Sequence, residues 1–235
     1  MCELIEPEAL EPIVKNNSGI IVDVCDYSRY AKAHIPSALH LQPQETFGPY
    51  PHKIGDLPNL NRIKEIIIKL GIIKHKPVYI YDDIGGVLAS RLIWLLDCVG
   101  YHNWILINGG LISWLKEGRA YKSTSSIDKT QEKKEIELKL KSLAHEYNFT
   151  KNQIISTLHS NDIIFWDSRS KGEFTGETKK AARAGHIPGS IHLDYRDLLN
   201  PNENLRIRSN VSDILEQNKI DPVSYTHLTL PTINW

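Results

Sequence analysis

Cysteine is scarce in this sequence and follows no pairing pattern. The 235 residues include three cysteines, Cys2, Cys25 and Cys98, and no CxxC pair. This excludes a disulfide framework and a zinc site built on cysteine pairs, and it favours reduced thiols. The 10 histidines form no HExxH motif, which would indicate a metalloprotease-type zinc site. We therefore expect no metal ion and no other cofactor.

Charge bias and long apolar runs are also missing. The formal net charge is zero, so no overall field attracts nucleic acid or acidic lipid. No stretch approaches the ~20 apolar residues that a membrane span needs. The opening residues MCELIEP have neither the basic segment nor the apolar core of a secretory signal. The sequence predicts a cytoplasmic protein that binds neither nucleic acid nor membrane.

One phrase occurs twice in the chain. AHIPSALH in the first half returns as GHIPGSIH in the second, which places His34 and His186 at matching positions. An apolar run ending in an aspartate, Asp23 or Asp167, precedes each copy. The distance between the copies exceeds the ~20–50 residues of a solenoid repeat. The repeat therefore indicates two copies of one whole domain.

Strand-like and helix-like patterns alternate along the first half. Short apolar runs at Ile20–Val24, Val78–Tyr81 and Trp104–Ile107 are typical of buried strands. Helical stripes at Asn59–Gly71 and Val87–Val99 lie between them. This alternation predicts an α/β fold with a parallel sheet covered by helices on both faces.

Ligands of such sheets bind beyond the carboxyl ends of the strands. In the first half that rule selects Asp23, the loop Asp82–Gly86 and the run Asn108–Gly110. In the second half we predict a helix at Lys151–Leu158 and strands at Asp162–Asp167 and Ser190–Leu193.

These motifs, taken in order, resemble the tandem-domain sulfurtransferases of the rhodanese family. The matching residues of the first half are Asp23, Tyr30, His34-Ile35-Pro36, Tyr81-Asp82-Asp83, Gly85-Gly86, Ala89-Ser90-Arg91, Trp94, Asn108-Gly109-Gly110 and Trp114. Those of the second half are Asp167-Ser168-Arg169, Phe174, Gly176-Glu177 and Gly185-His186-Ile187-Pro188-Gly189. The resemblance implies two α/β domains, each with a mostly parallel central sheet flanked by helices.

The resemblance also implies an activity. In this family a cysteine of the second domain takes a sulfane sulfur from a small anionic donor, thiosulfate or 3-mercaptopyruvate. It holds the sulfur as a persulfide and passes it to cyanide or a thiol. The first domain is usually inactive and carries aspartate in place of the nucleophile, and Asp82 stands at that position here.

The second copy departs from the family pattern, because no cysteine follows Cys98. We interpret residues 5–120 as the inactive domain, 121–150 as a linker and 151–222 as the N-terminal part of the catalytic domain. Residues 223–235 are interpreted as a non-native tail, because Val223–Thr232 looks like a translated sequencing adapter. The second domain is then incomplete, and this chain is predicted to be inactive.

The remaining site residues are assigned through the same resemblance. Arg169 and Arg183 are candidates for binding the donor anion, because guanidinium groups suit oxyanions and carboxylates. Glu173 opposes that assignment, since its charge would repel an anion. The other motif residues are interpreted as structural: Asp23, His34, Pro36, Asp167, His186 and Pro188. The two aspartates are expected to bind backbone groups or to pair with Arg29 and Arg169.

Three other functions are alternatives to sulfur transfer. A non-catalytic rhodanese-like module that binds or regulates a partner would lack the cysteine by evolution. A phosphatase on the same fold would need a CxxxxxR loop, and the sequence contains none. An aspartyl-phosphate receiver built on Asp82 and Asp83 would leave the repeated HIP phrase without a role.

Overall fold

The computed structural model of the chain describes six stretches of residues, and its packing divides the chain into two compact units. The described stretches are 3–48, 57–72, 76–124, 148–160, 163–180 and 182–220. The first unit holds the described residues up to 47, those from 57 to 124, and the segment 200–207. The second holds most of the described residues from 148 onward. Within these stretches, no helix combines the length and apolar character needed to cross a membrane.

A five-stranded sheet in which every pairing is parallel forms the centre of the first unit. The strands, in chain order, are β1 (Glu3–Ile5), β2 (Ile20–Asp23), β3 (Leu39–His40), β4 (Val78–Tyr81) and β5 (Trp104–Ile107). Their order in the sheet is β1-β5-β4-β2-β3. All residues of β2 and β4 are buried, as expected for strands covered on both faces.

The described residues of the first unit form five α-helices beside this sheet. They are α1 (Pro7–Lys15), α2 (Tyr27–Lys32), α3 (Leu60–Lys69), α4 (Val87–Cys98) and α5 (Gly110–Lys116). Leu10 of α1 and Trp114 of α5 pack with Ile21, Tyr79 and Ile107 of the strands in one buried cluster. Each such side chain contributes roughly 1.5–3 kcal/mol on burial. The cluster fixes α5, and therefore the loop before it, against the carboxyl end of β5.

The second unit repeats the opening of the first. It contains α6 (Lys151–Thr157), β6 (Trp166–Asp167), α7 (Lys171–Thr175), β7 (Ile191–His192) and α8 (Val211–Gln217). Strand β6 pairs in parallel with β7, and Asp167 lies opposite His192 just as Asp23 lies opposite His40. Two further short strands, β8 (Leu199–Asn200) and β9 (Arg206–Ile207), pair where the chain passes between the units.

The predicted α/β class with parallel sheets is confirmed, and several element bounds differ. The strands at 78–81 and 104–107 have the predicted bounds, whereas β6 and β7 are two residues each and shorter than predicted. Segment 200–207 packs as part of the first unit, although the sequence boundaries group it with the second domain. Most of the predicted linker, 125–147, and the predicted tail, 223–235, lie outside the described residues. The incompleteness of the second domain stays a prediction.

Candidate active site

Asp82 fills the loop between β4 and α4 with its own carboxylate. Oδ1 accepts the N–H groups of Ile84 at 3.0 Å and Gly86 at 2.8 Å. Oδ2 accepts those of Leu88 at 2.7 Å and Ala89 at 3.1 Å. Gly86 precedes α4 with φ +95°, which turns the chain so that these N–H groups point inward. The loop is an anion cradle at a helix N-terminus, and an internal carboxylate occupies it.

Burial and hydrogen bonding shift the pKa of the Asp82 carboxyl group in opposite directions. Asp82 is 1 % exposed, and desolvation raises its pKa, while the four N–H groups act to lower it. The net direction is upward. A carboxylate has no sulfur to accept, so this loop binds its own side chain and offers no nucleophile for sulfur transfer.

The loop before α5 closes over Asp82. Leu111 N–H donates to the main-chain oxygen of Asp82 at 2.9 Å. A Cβ at Gly110 would lie 2.1 Å from that same oxygen, so only glycine fits there. At the neighbouring Gly109 a Cβ would lie 2.0 Å from Oγ of Ser113 and 2.8 Å from the main-chain oxygen of Asn204. The run Asn108–Gly110 therefore serves close packing of main chain on main chain.

Segment 200–207 contacts Asn108 and other residues near the carboxyl end of β5, and the sequence did not indicate these contacts. Ile207 N–H donates to Oδ1 of Asn108 at 2.8 Å, and Asn108 Nδ2 donates to Glu6 at 2.6 Å. Arg206 forms ion pairs with Glu6 at 2.9 Å and Glu117 at 2.5 Å. These charged residues are far apart in the chain, and no sequence pattern predicts an ion pair between them.

The thiols of the described residues are poorly suited to act as substitute nucleophiles. Cys25, which follows β2, and Cys98, at the end of α4, are both fully buried. Desolvation is the main cause that raises the pKa of both thiols, with the charges of Asp23 and Asp97 adding to it; that of Cys98 rises to about 12. Since the thiolate is the reactive form, neither cysteine is activated.

In the first unit, Asp23 makes the main-chain hydrogen bond that was one of the two contacts expected for it, and the arginines have other partners. Asp23 Oδ1 accepts the N–H of Cys25 at 2.7 Å, and Arg29 pairs instead with Asp83 at 3.3 Å. Arg91 donates to the main-chain oxygen of Thr46. Its guanidinium also stacks 4.5 Å above the ring of Trp94 and 5.4 Å from that of Phe47.

The repeated phrase builds the same aromatic stack in both units. His34 stacks on Tyr30 with ring centroids 4.0 Å apart, and its Nδ1 lies 2.8 Å from the main-chain oxygen of Tyr30. His186 stacks on Phe174 at 3.7 Å, with Nδ1 at 2.7 Å from the main-chain oxygen of Phe174. Both histidine rings are thereby held against a helix, which is a structural use of the side chain.

The second histidine of each repeat, His40 or His192, contacts the main chain of the turn that follows Asp23 or Asp167. His40 Nε2 lies 2.9 Å from the main-chain oxygen of Cys25, and His192 Nε2 lies 2.9 Å from that of Arg169. The HIP prolines stand in matching tight turns. Pro36 precedes Ser37 at φ +67°, and Pro188 precedes Gly189 at φ +81°. Proline followed by a positive φ is the pattern of a type II turn.

In the second unit, Arg169 forms a hydrogen-bonded ion pair with Asp167. Its Nε donates to Oδ1 at 2.9 Å and its Nη2 to Oδ2 at 2.5 Å, and Nη2 also donates to Gly185 O at 2.9 Å. Although burial acts to raise the pKa of Asp167, the hydrogen bonds and charge of Arg169 prevail and hold it below its ordinary value. Arg183 is exposed. Glu173 accepts a hydrogen bond from Ser170 at the start of α7, at 2.9 Å.

Comparison with known proteins agrees with this geometry. The model of the rhodanese-like domain matches residues 6–117. A thiosulfate sulfurtransferase of Pseudomonas aeruginosa is 33% identical over 219 residues, which cover 93% of this chain and 79% of that protein. The chain belongs to the rhodanese family.

Further relatives extend the same likeness. A thiosulfate sulfurtransferase of Azotobacter vinelandii is 34% identical over 222 residues, which cover 93% of this chain and 79% of the relative. The crystal structure of SseA from Escherichia coli, described under the rhodanese fold of 3-mercaptopyruvate sulfotransferases, superposes with a TM-score of 0.74 at 18% identity. It covers 93% of this chain and 82% of SseA, and at that identity it shows the fold. The relatives support sulfurtransferase activity for this rhodanese.

Proposed function

We propose that the activity of this rhodanese fold is transfer of a sulfane sulfur from thiosulfate or 3-mercaptopyruvate to cyanide or a thiol. The names of the relatives support the donors. The observation that carries the proposal is the set of four N–H groups converging on Asp82. An equivalent loop in the second domain, with cysteine at that position, would stabilise a thiolate and its persulfide.

The chemistry follows from that loop. The thiolate attacks the outer sulfur of thiosulfate, forms a new S–S bond and breaks the old one, and sulfite leaves with the electron pair. Cyanide then attacks the outer sulfur of the persulfide, which releases thiocyanate and restores the thiolate. The cysteine thiolate is the nucleophile of the first step and the leaving group of the second, so hydrogen-bond donors that stabilise it assist both steps.

The 235-residue chain itself is proposed to be inactive. Residues 99–235 contain no cysteine, and Asp82 occupies the only loop of this kind among the described residues. The buried Cys25 and Cys98 cannot meet a donor in the folded state. We further propose a cytoplasmic location, in keeping with reduced thiols.

A thiocyanate assay tests the proposed inactivity of the chain. With thiosulfate and cyanide, the purified chain is expected to match a blank without enzyme, while the Pseudomonas aeruginosa relative serves as the positive control. Thiocyanate formation above the blank would contradict the proposed inactivity.

The lack of a cysteine after Cys98 also favours a second candidate, a non-catalytic binding module. Reading the encoding DNA beyond codon 222 separates the two. A frame with a strand followed by cysteine and a loop containing glycine or arginine supports the enzyme. A frame without cysteine supports the module and rules out the enzyme.

A further inference from the structure

The sequence contains one asparagine that is followed directly by glycine, Asn108 with Gly109, just after β5. In such a pair the main-chain nitrogen of the glycine can attack Cγ of the asparagine, because no glycine side chain hinders its approach. The new C–N bond closes a succinimide ring, and Nδ2 leaves as ammonia with the proton of the attacking N–H. Water then opens the ring to aspartate or isoaspartate. The overall change replaces a side-chain amide with a carboxylate.

The folded first unit opposes this reaction at Asn108. The residue is 5 % exposed, so little of the water that the second step consumes can reach it. Its Nδ2 donates to Oε1 of Glu6 at 2.6 Å, and its Oδ1 accepts the N–H of Ile207 at 2.8 Å. Attack at Cγ moves both polar atoms of the amide, and loss of ammonia breaks the hydrogen bond with Glu6. Docked contacts therefore protect the amide.

Segment 200–207 provides half of this protection and is held by weak contacts. Ile207 donates the hydrogen bond to Asn108, and Arg206 pairs with Glu6 at 2.9 Å and with Glu117 at 2.5 Å. The side chain of Arg206 is about one quarter exposed, and ion pairs that reach solvent contribute little to stability. A segment held in this way opens locally far more often than the buried strands of the sheet.

Conversion of Asn108 would change the charge at the point where the segment docks. Glu6 uses one oxygen for Asn108 and the other for Arg206. A carboxylate at position 108 has no N–H to donate, yet it would take the place of Nδ2, 2.6 Å from Oε1 of Glu6. Two carboxylates this close repel each other. Arg206 already pairs with both Glu6 and Glu117, so a third carboxylate would leave the cluster with an excess of negative charge.

We propose that Asn108 is a deamidation site, protected while segment 200–207 is docked, and that its conversion keeps the segment from docking again. Because ammonia is lost, the change is one-way, and it records that the segment has opened. No residue of the sulfur-transfer chemistry takes part, so the test is independent of the proposed function.

Peptide mapping by mass spectrometry of the whole chain measures the conversion. In mildly alkaline buffer, Asn108 is expected to stay an amide in the folded chain and to become a carboxyl group in urea. Arg206→Ala should speed conversion in the folded chain about fivefold, because the ion pairs that hold the segment are lost. The matched control, Lys116→Ala at an exposed position of α5, should leave the rate unchanged. Equal conversion in buffer and urea, no conversion in urea, or equal rates in the two variants would overturn the proposal.

Hydrogen exchange at Ile207, followed by NMR, tests the effect of the product. Asn108→Asp should speed exchange of this amide about tenfold, the size of one net hydrogen bond, because repulsion from Glu6 displaces the acceptor. In Asn108→Asp/Glu6→Gln the glutamine amide can donate to the new carboxylate, so exchange should slow again to about the rate of Glu6→Gln alone. If the second substitution fails to slow the exchange, carboxylate repulsion does not keep the segment undocked, and the proposal is overturned.

Discussion

Replacing Gly110 with alanine tests how tightly the Asp82 loop is closed. Gly110 has φ +53°, and the added Cβ would lie 2.1 Å from the main-chain oxygen of Asp82. A left-handed backbone costs alanine roughly 1–2 kcal/mol, and overpacking adds about 1–3 kcal/mol. Loss of the Leu111 hydrogen bond to the same oxygen adds about 0.5–1.5 kcal/mol. We expect the free energy of unfolding to fall by about 3–5 kcal/mol, because main-chain atoms cannot rotate away.

Gly118 provides a matched control for the backbone strain. Its φ is +71°, but no atom lies within 4 Å of an added Cβ. Gly118→Ala should therefore cost only the strain, about 1 kcal/mol after the gain from a stiffer unfolded chain. Urea unfolding followed by tryptophan fluorescence measures both variants in the whole chain. Equal losses for Gly110→Ala and Gly118→Ala would refute the close approach of the two loops.

Two more predictions concern the ion pair of the second unit and the buried thiols. Because the folded pKa of Asp167 is lowered, its pair with Arg169 stabilises the fold above the ordinary aspartate pKa, and the contribution is lost as pH falls through the folded value. Asp167→Asn should lower the free energy of unfolding by about 1–3 kcal/mol at neutral pH. It should also make the urea midpoint fall less steeply as the pH is lowered, whereas Asp213→Asn, at an exposed site, should leave that fall unchanged. A parallel acid decline in both variants would contradict the pair. Cys25 and Cys98 should resist iodoacetamide in native buffer and react in urea, as mass spectrometry of their peptides would record; native labelling would contradict their burial.

Patterns that depend on neighbours in the chain could be predicted well from the sequence. Strands at 78–81 and 104–107 are continuous apolar runs, and a buried parallel strand demands that composition. The repeated HIP sequence likewise indicated equivalent segments in both halves, and the structure places a matching turn in each, with Ser37 and Gly189 at positive φ. In contrast, α1 was not predicted, since Pro7 and Pro12 argue against a helix although Pro7 sits at its first turn, where proline is tolerated.

Contacts between distant residues could not be predicted. The sequence left open whether Asp23 binds a main-chain group or Arg29; the structure shows the main-chain contact, and Arg29 pairs with Asp83, which the sequence did not indicate. Arg206 illustrates the same limit, since its carboxylate partners Glu6 and Glu117 lie about a hundred residues away. Such pairs depend on how the strands are ordered in the sheet, which periodicity does not specify.

The two copies differ in their electrostatics through one side chain on a shared turn. Cys25 and Arg169 occupy the same place, since each N–H binds the preceding aspartate and each oxygen lies against a histidine Nε2. Beside the buried thiol, desolvation raises the pKa of Asp23, whereas the guanidinium lowers that of Asp167. The cation that distinguishes the second copy is therefore already neutralised by its neighbour. An anionic donor would have to compete with Asp167 for Arg169, so the exposed Arg183 is the better placed of the two candidates to meet it.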